Sequence, residues 1–361
     1  MSTSYQAASL GAEDRTEVPA STAERDMPAR PGWSGPTYYG RSQLKASPFN
    51  EWVVGGYIFL AGLSGASMLL STLTDLVQPG RGRATVRNGR YLSLLAPVLG
   101  SPLLIWDLHT PQRFYNMLRI AKHTSPMSIG TWILMGFSGF AGASAVAELL
   151  STRLPWLRFA AKAAQVPGAL TGAGLGSYTA TLLSATSTPF WAAAPRMLAV
   201  RFASSSIASG AAALALLEPD HAMRRRLGAI ATVALATELV AGAVADRTYE
   251  RTGVADARQS FYGRMERIGV TAFGCALPIG LHLASRFTDR RTARQLGAIA
   301  SGATLAGSLL FRVSQIGIGD ESARRPEISF RFSQPENLPD KRQGYAIREK
   351  LRKLAYARNK R

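Results

Sequence analysis

Long apolar stretches follow one another through the middle of the chain, and short charged segments separate them. A bilayer core of about 30 Å is crossed by roughly 20 mostly apolar residues in a helix. The pattern therefore predicts an all-α integral membrane protein with eight transmembrane helices in a compact bundle. The predicted spans are residues 52–76, 91–106, 127–150, 159–183, 197–217, 227–245, 268–285 and 296–318.

Both ends of the chain are polar. Residues 1–49 hold five prolines and a balanced charge, which is typical of a disordered arm. They show no basic stretch followed by an apolar core, the pattern of a cleavable signal peptide. Residues 50–320 are predicted to form the membrane domain and residues 321–361 a basic tail. In the tail, Ile347, Leu351 and Leu354 recur at helical spacing, which favours an amphipathic helix on anionic lipid or a clamp on a partner.

The formal net charge of +19 is concentrated in the loops and the C-terminal tail. Basic residues that flank spans meet anionic lipid headgroups, so membrane lipid is expected as a partner and nucleic acid is not. The loops on the side opposite the termini hold about fourteen Lys and Arg, against about eight on the termini side. This asymmetry predicts a multi-pass protein of the cell inner membrane with its termini outside the cytoplasm.

Two residue counts restrict the redox groups that the chain could carry. Cys275 is the single cysteine, whereas an iron–sulfur cluster usually takes four thiolates, so any cluster would belong to a partner. The histidines are His109, His123, His221 and His282, and three of them fall in loops or at span ends. A haem held by two facing histidines is therefore not expected, and a bound quinone would be the electron carrier.

Polar side chains within the spans are candidates for chemistry, because such groups are costly in lipid. Helix parity places most of them at the end of the bundle that the termini share, with Glu238 in the middle of its span. His282 is expected to be a packing residue. The candidates are Glu51, Tyr57, Asp107, Arg113, Tyr178, Glu238, His282 and Arg312.

Other roles stay open for several of these candidates. Asp107 could cap a helix, Arg312 could extend its charged group towards the headgroups, and Glu51 could be an ordinary interfacial residue. Glu238 could accept protons or pair with Arg201. The residues alone do not separate these roles.

Several motifs between residues 50 and 320 resemble those of the NrfD/PsrC family and follow the same order along the chain. This family comprises the membrane subunits of polysulfide-reductase-type molybdoenzymes. Residues 106–114 read WDLHTPQRF, and the family reads much like D-L-G-x-P-x-R-F; residues 124–132 read TSPMSIGTW, like the family's S-P-M-S-x-G-x-W. Residues 177–183 and 189–191 resemble Y-T-G-x-L-L and P-x-W, and Gly307, Phe311 and Gly317 are also family-like. His109 replaces the family's usual glycine.

The resemblance implies an eight-helix subunit without haem that holds a quinone, menaquinone or ubiquinone, near one face. That face would receive a four-cluster ferredoxin-like iron–sulfur subunit, which is bound in turn to a molybdopterin catalytic subunit. The family's quinone pocket carries over to Tyr178 and to Glu51 and Tyr57 near the start of the first span. In some members a histidine stands at the position of Tyr57. Trp191 and Arg312, within matched motifs, are assigned to quinone binding as well.

Quinone reduction takes two electrons and two protons, so a pocket must orient the ring and deliver protons. Tyr57 and Tyr178 would hydrogen-bond the quinone oxygens, and Asp107, held by Arg113, would exchange protons, with Glu238 as a further proton carrier. The predicted function is electron transfer between an iron–sulfur partner and the membrane quinone pool. The complex would be formate dehydrogenase-like or polysulfide/thiosulfate reductase-like.

Two other classes of function remain open. One is a proton-translocating or transporter-like membrane protein that uses Asp107 and Glu238, for which broken helices and repeat symmetry would be the signs. The other is a structural anchor whose quinone site is lost.

Overall fold

The computed structural model describes residues 44–78, 80, 82–108, 110–334 and 337. Residues 1–43 of the predicted arm, His109 and the predicted tail helix around residues 347–354 lie outside this part of the chain. The described residues contain helices and loops and no strand. The all-α multi-pass prediction is confirmed at this level.

The helices follow the apolar stretches of the sequence. The α-helices are α1 (Glu51–Val77), α2 (Arg83–Leu92), α3 (Ser101–Trp106), α4 (Pro126–Leu150), α5 (Leu157–Ser184), α6 (Pro189–Ala193), α7 (Pro195–Leu217), α8 (His221–Arg251), α9 (Phe261–Met265), α10 (Leu277–Ala284), α11 (Arg290–Arg324) and α12 (Pro326–Ser333). Ala96–Gly100 leads into α3, and Glu266–Ala276 joins α9 to α10, both as π-helix. Pro111–Leu118, Ala255–Gln259 and Ser285–Phe287 are 3₁₀ turns.

The number of membrane spans differs from the prediction of eight. In the described ranges, six helices are long and apolar enough to cross a membrane: α1, α4, α7, α8, the continuous segment Phe261–Phe287 and α11. A bent pair, Arg83–Trp106 with Pro111–Leu118 at 118°, raises the number to seven if it counts as one span. The predicted fourth span coincides with α5, whose 28 residues give it the length. Lys162, Gln165 and several glycines lower its hydropathy below that of the six.

Short polar side chains set the helix starts. The Asn50 side chain accepts hydrogen bonds from the backbone N–H groups of Trp52 and Val53, at 3.1 Å each, at the start of α1. Asp220 caps α8 and Asp289 caps α11 in the same way. These caps satisfy N–H groups that have no partner within a helix.

Helix α1 lies at the centre of the bundle and packs against α5, α7 and α11. The approach of α1 to α5 depends on glycine, because a Cβ atom added at Gly65 would lie 2.3 Å from the backbone oxygen of Gly172. A Cβ atom added at Gly274 would lie 2.5 Å from the Cα atom of Gly307, where the π-helical segment meets α11. Small residues thus allow the close helix packing that lipid-embedded bundles use.

The short loops make successive spans antiparallel, so the bundle has two ends. We call the end that carries Glu51, Trp106, Ser184 and Arg324 the proximal face. The distal face carries Val77, Leu150, Leu217 and Arg290. α12 packs on the proximal face, where Ile328 is fully buried.

Candidate functional site

A cavity of about 280 Å³ lies near the proximal face between α1, α3, α4 and α5. Its volume is at the lower end of the roughly 300–1,000 Å³ of small-molecule sites. Its walls are mainly apolar, and its polar groups come from Tyr57, Asp107 and Tyr178 with two threonines. Met127 lines the cavity and is 56% exposed, so the cavity reaches the protein surface at the start of α4.

Tyr57 enters the cavity from α1, six residues after the helix begins, beside Ile58 and Ala61 of the same helix. It lies within electrostatic reach of both Asp107 and Tyr178. Three polar groups that are far apart in sequence therefore converge on one apolar chamber. Such a small polar group in an apolar pocket can fix the orientation of a ring that carries oxygen acceptors.

The position of Tyr178 on α5 depends on a glycine of α4. A Cβ atom added at Gly130 would lie 1.9 Å from Cζ and 2.3 Å from the hydroxyl oxygen of Tyr178. Any larger residue there would displace the phenol ring. The sequence motif around Gly130 indicated the family resemblance but not this packing role, since nothing local to residues 124–132 reveals the partner on α5.

Asp107 follows the last residue of α3 and lies outside the membrane-spanning helices. Its carboxylate accepts a hydrogen bond from the backbone N–H of Asn50 at 3.5 Å. Partial burial raises the pKa of the Asp107 carboxyl above its ordinary value, and the hydrogen bond from Asn50 opposes this shift. A carboxyl group with a raised pKa at the mouth of a cavity is suited to exchange protons with water.

The structure does not bring Arg113 to Asp107. The Arg113 side chain is exposed, and the described residues contain no ion pair between these two side chains. The 3₁₀ turn Pro111–Leu118 redirects the chain after α3, and the Arg113 backbone N–H donates to the Thr110 carbonyl oxygen at 3.0 Å. The predicted role of Arg113 in holding Asp107 therefore has no contact to support it.

Trp191 and Glu51 also lie away from the cavity lining. Trp191 is 1% exposed, and its indole N–H donates to the Gln315 carbonyl oxygen at 2.7 Å. Its ring lies where a side chain at Gly319 would be, so it packs α6 against α11. Glu51 lies within electrostatic reach of the Tyr262 hydroxyl. Both assignments rested on the position in the sequence, which does not distinguish helix packing from contact with a ligand.

Arg312 is fully buried within α11 rather than extended towards the headgroups. Its guanidinium donates to the hydroxyls of Ser308 and Ser206 at 2.8 and 2.9 Å and also to Ser205. The faces of Phe202 and Phe311 lie 5.6 and 5.4 Å from its central carbon. These partners make Arg312 a link between α7 and α11, outside the cavity lining.

A second, polar cavity of about 130 Å³ lies between α7, α8 and the π-helical segment. Arg201 pairs with Glu266 at 2.7 Å, and Arg258 pairs with Glu266 at 3.1 Å and with Asp246. Of the two roles predicted for Glu238, the pairing with Arg201 is therefore not found. Glu238 lines this cavity, is 3% exposed, and leaves Oε1 without a hydrogen-bond partner.

Glu266 is a buried charged residue of this cluster that is absent from the candidates chosen from the sequence. The predicted seventh span begins at Ile268, which leaves Glu266 in a loop, whereas the helical segment begins at Phe261. Glu266 is 1% exposed and accepts a further hydrogen bond from the Gln315 side chain at 3.0 Å. The signal available was a carboxylate two residues before a long apolar run that begins at Ile268. In the described ranges, no group of three or more His, Cys, Asp or Glu side chains could hold a metal ion.

The fold and cavity define a multi-pass α-helical membrane protein with a chamber near one face for a small, mainly apolar molecule. The family model described as polysulphide reductase, NrfD, matches residues 45–317. The chain belongs to this family, which is one of membrane subunits of molybdopterin oxidoreductase complexes. Among curated proteins, none matches the chain.

Proposed function

We propose that the chain binds a quinone in the cavity between α1 and α5 and passes electrons between an iron–sulfur partner and the membrane quinone pool. The observation that carries this proposal is the convergence of Tyr57, Asp107 and Tyr178 on a mainly apolar chamber near the proximal face. A long-tailed quinone could enter from the bilayer while its polar ring meets these groups. Family membership supports the same assignment.

The residues fit a quinone by the chemistry of their donors. The hydroxyls of Tyr57 and Tyr178 would donate hydrogen bonds to the ring oxygens, and the apolar walls would exclude water from the ring. Asp107 would exchange protons with the proximal surface, beside which its carboxyl lies. Bound quinone would supply the two-electron, two-proton carrier chemistry.

The partners belong to the same proposal. A four-cluster iron–sulfur subunit would dock on the proximal face, where the cavity and Asp107 lie, and a molybdopterin catalytic subunit would bind to it. The excess of basic residues in the distal loops supports an orientation with the distal face in the cytoplasm of the cell inner membrane.

Quinone content tests the proposal. The chain, purified in mild detergent with any partners that remain bound, should retain quinone in about equal molar amount, detected by solvent extraction and absorbance. A preparation from quinone-containing membranes that retains none, and binds no added menaquinone or ubiquinone analogue, would contradict quinone binding.

Proton translocation by Asp107 and Glu238 is a second candidate, and the polar cavity favours it. Glu238 has an unpartnered carboxylate oxygen in a chamber that reaches Asp246 and Arg258 towards the proximal face. An internal space of this size and polarity can hold several waters, and water would complete the coordination of these groups. Proteoliposomes that acidify or alkalise during turnover, with the change lost in Glu238→Gln and electron transfer kept, would support this candidate.

A further inference from the structure

A small crevice on the distal face gathers basic side chains from three separate elements. It lies between the start of α8, the end of α10 and the start of α11 and encloses about 40 Å³. At about 10–15 Å³ for each water, this space suits a few waters or one phosphate group. Its charged lining consists of Arg224, Arg225, Arg286 and Arg294, together with His221 and His282.

No acidic residue is among the described residues that line this crevice. Arg224 donates to the carbonyl oxygen of Glu218 at 2.7 Å. Arg225, Arg286 and Arg294 are exposed, and none of them has an ion-pair partner among the described side chains. Like charges held this close repel one another, so a bound anion would stabilise the arrangement.

The acidic residues nearby are engaged elsewhere. Asp220 accepts the backbone N–H of Met223 at 2.8 Å. Asp289 accepts the backbone N–H groups of Arg291 and Thr292 at 2.9 and 3.1 Å. The Glu218 carboxylate accepts the hydroxyl of Thr85, across the loop.

A different basic cluster on the same face shows the contrast. Arg90 pairs with Glu148 there and donates to the Gln165 side chain at 2.9 Å. Lys162 lies 3.5 Å from the Asp75 carboxylate. That cluster carries its own counter-charges, whereas the crevice between α8, α10 and α11 does not.

His282 adds a half-buried ring that lines the crevice. Its ring lies against Gly228 of α8, where an added Cβ atom would be 3.1 Å from Nδ1. Its Nε2 atom is buried and has no hydrogen-bond partner among the described residues. The sequence predicted a packing residue, and the packing is present, but one nitrogen is left for a ligand.

We propose that this crevice binds the phosphate of an anionic phospholipid headgroup, such as phosphatidylglycerol or cardiolipin. Exposed apolar side chains on the same helices favour a lipid over free phosphate: Leu283 of α10 and Ile299 of α11 lie nearer the middle of the bundle than Arg286 and Arg294 and are 44% and 57% exposed. These side chains would contact the acyl chains while the arginines hold the headgroup. The site would tie the α8, α10 and α11 ends together at the membrane surface.

The test uses the full chain in detergent micelles with dioleoylphosphatidylglycerol, dioleoylphosphatidylcholine or sodium phosphate added. Phosphatidylglycerol should raise the midpoint of thermal unfolding, and the other two should not. In the double variant Arg225→Gln/Arg294→Gln, the lipid concentration for half of the effect should rise about tenfold or more. Arg226→Gln/Arg290→Gln removes equal charge from the same helix starts but from residues outside the crevice lining, and should behave as wild type.

Three results would overturn the proposal. The first is a rise in the unfolding midpoint with sodium phosphate equal to that with phosphatidylglycerol, which would indicate a free-anion site. The second is an unchanged response to phosphatidylglycerol in Arg225→Gln/Arg294→Gln. The third is an equal loss of that response in the control pair Arg226→Gln/Arg290→Gln. If the double variant does not fold, native mass spectrometry of the wild-type chain decides. Phosphatidylglycerol retained in preference to phosphatidylcholine supports the site, and equal loss of both refutes it.

Discussion

The cavity between α1 and α5 and the cavity between α7 and α8 both lie towards the proximal face, yet they hold polar groups in opposite ways. The first is about 280 Å³ with mainly apolar walls, and the second is about 130 Å³ and lined by Arg201, Glu238, Asp246 and Arg258. An apolar chamber with few polar groups suits an exchangeable ring with an apolar tail. A buried network of paired charges instead fixes its own helices, because each charge needs a partner.

Polarity inside a membrane protein therefore does not by itself mark the ligand site. Arg312 and Glu266 are the most deeply buried charged side chains among the described residues, and they contact neighbouring helices. Tyr57 and Tyr178 are less polar than either, yet they face open space. Substitutions in the two cavities separate the binding of a ligand from the packing of helices.

Asp107→Asn should lower quinone-coupled turnover by about 10²–10⁴-fold, because an amide cannot exchange a proton. The assembled complex should form in normal amount, since the Asp107 side chain makes one hydrogen bond of 3.5 Å to the backbone. Turnover of the purified complex with a water-soluble quinone is the measurement. Wild-type rates in this variant would remove Asp107 from the proton path.

The pH profile provides a check on the same residue. Burial raises the pKa of Asp107, so its protonated form persists to higher pH than that of an ordinary aspartate. Quinone reduction should therefore decline as pH rises through this raised pKa, and the decline should vanish in Asp107→Asn. If the remaining activity of Asp107→Asn showed the same pH profile as the wild type, the titration would belong to another group.

Glu266→Gln should destabilise the protein by about 3–5 kcal/mol, because it leaves the buried Arg201 and the half-buried Arg258 without their shared carboxylate. Thermal unfolding in detergent is the measurement. Glu250→Gln removes an exposed carboxylate from α8 and serves as the control. Equal midpoints of thermal unfolding for the two variants would mean that the buried network does not stabilise the protein.

Gly130→Ala should weaken binding of a quinone analogue by about tenfold or more, because the new methyl group occupies the space of the Tyr178 ring. Gly139→Ala on the same helix is the matched control, since its added Cβ atom meets no atom within 4 Å. Titration calorimetry with a short-tailed analogue measures both. Equal affinity in the two variants would place Tyr178 outside the binding site.

Tyr178→Phe should have the smallest effect, about 2–10-fold weaker binding of the same analogue, since it removes one hydrogen bond of about 0.5–1.5 kcal/mol. Tyr115→Phe, at an exposed position away from the cavity lining, should leave the affinity unchanged. A loss as large as that of Gly130→Ala would point to a structural role for the hydroxyl.

The sequence predicted the helical class and three of the residues that converge on the first cavity. Apolar length and helix parity suffice for this, because they place Tyr57, Asp107 and Tyr178 at one end of the bundle. The roles of Trp191 and Arg312 were not predictable in this way, because a motif does not state which helix a side chain faces. Only the folded bundle shows that Gly319 leaves room for Trp191.

Photolabelling can locate the quinone that we propose for the chamber between α1 and α5. A short-tailed azidoquinone, irradiated with the full chain and mapped by peptide mass spectrometry, should label residues 127–134 of α4 and 175–183 of α5. Excess unlabelled quinone should abolish this labelling. Labels that appear instead at residues 238–246 or 270–275, in the polar cavity, would contradict the assignment.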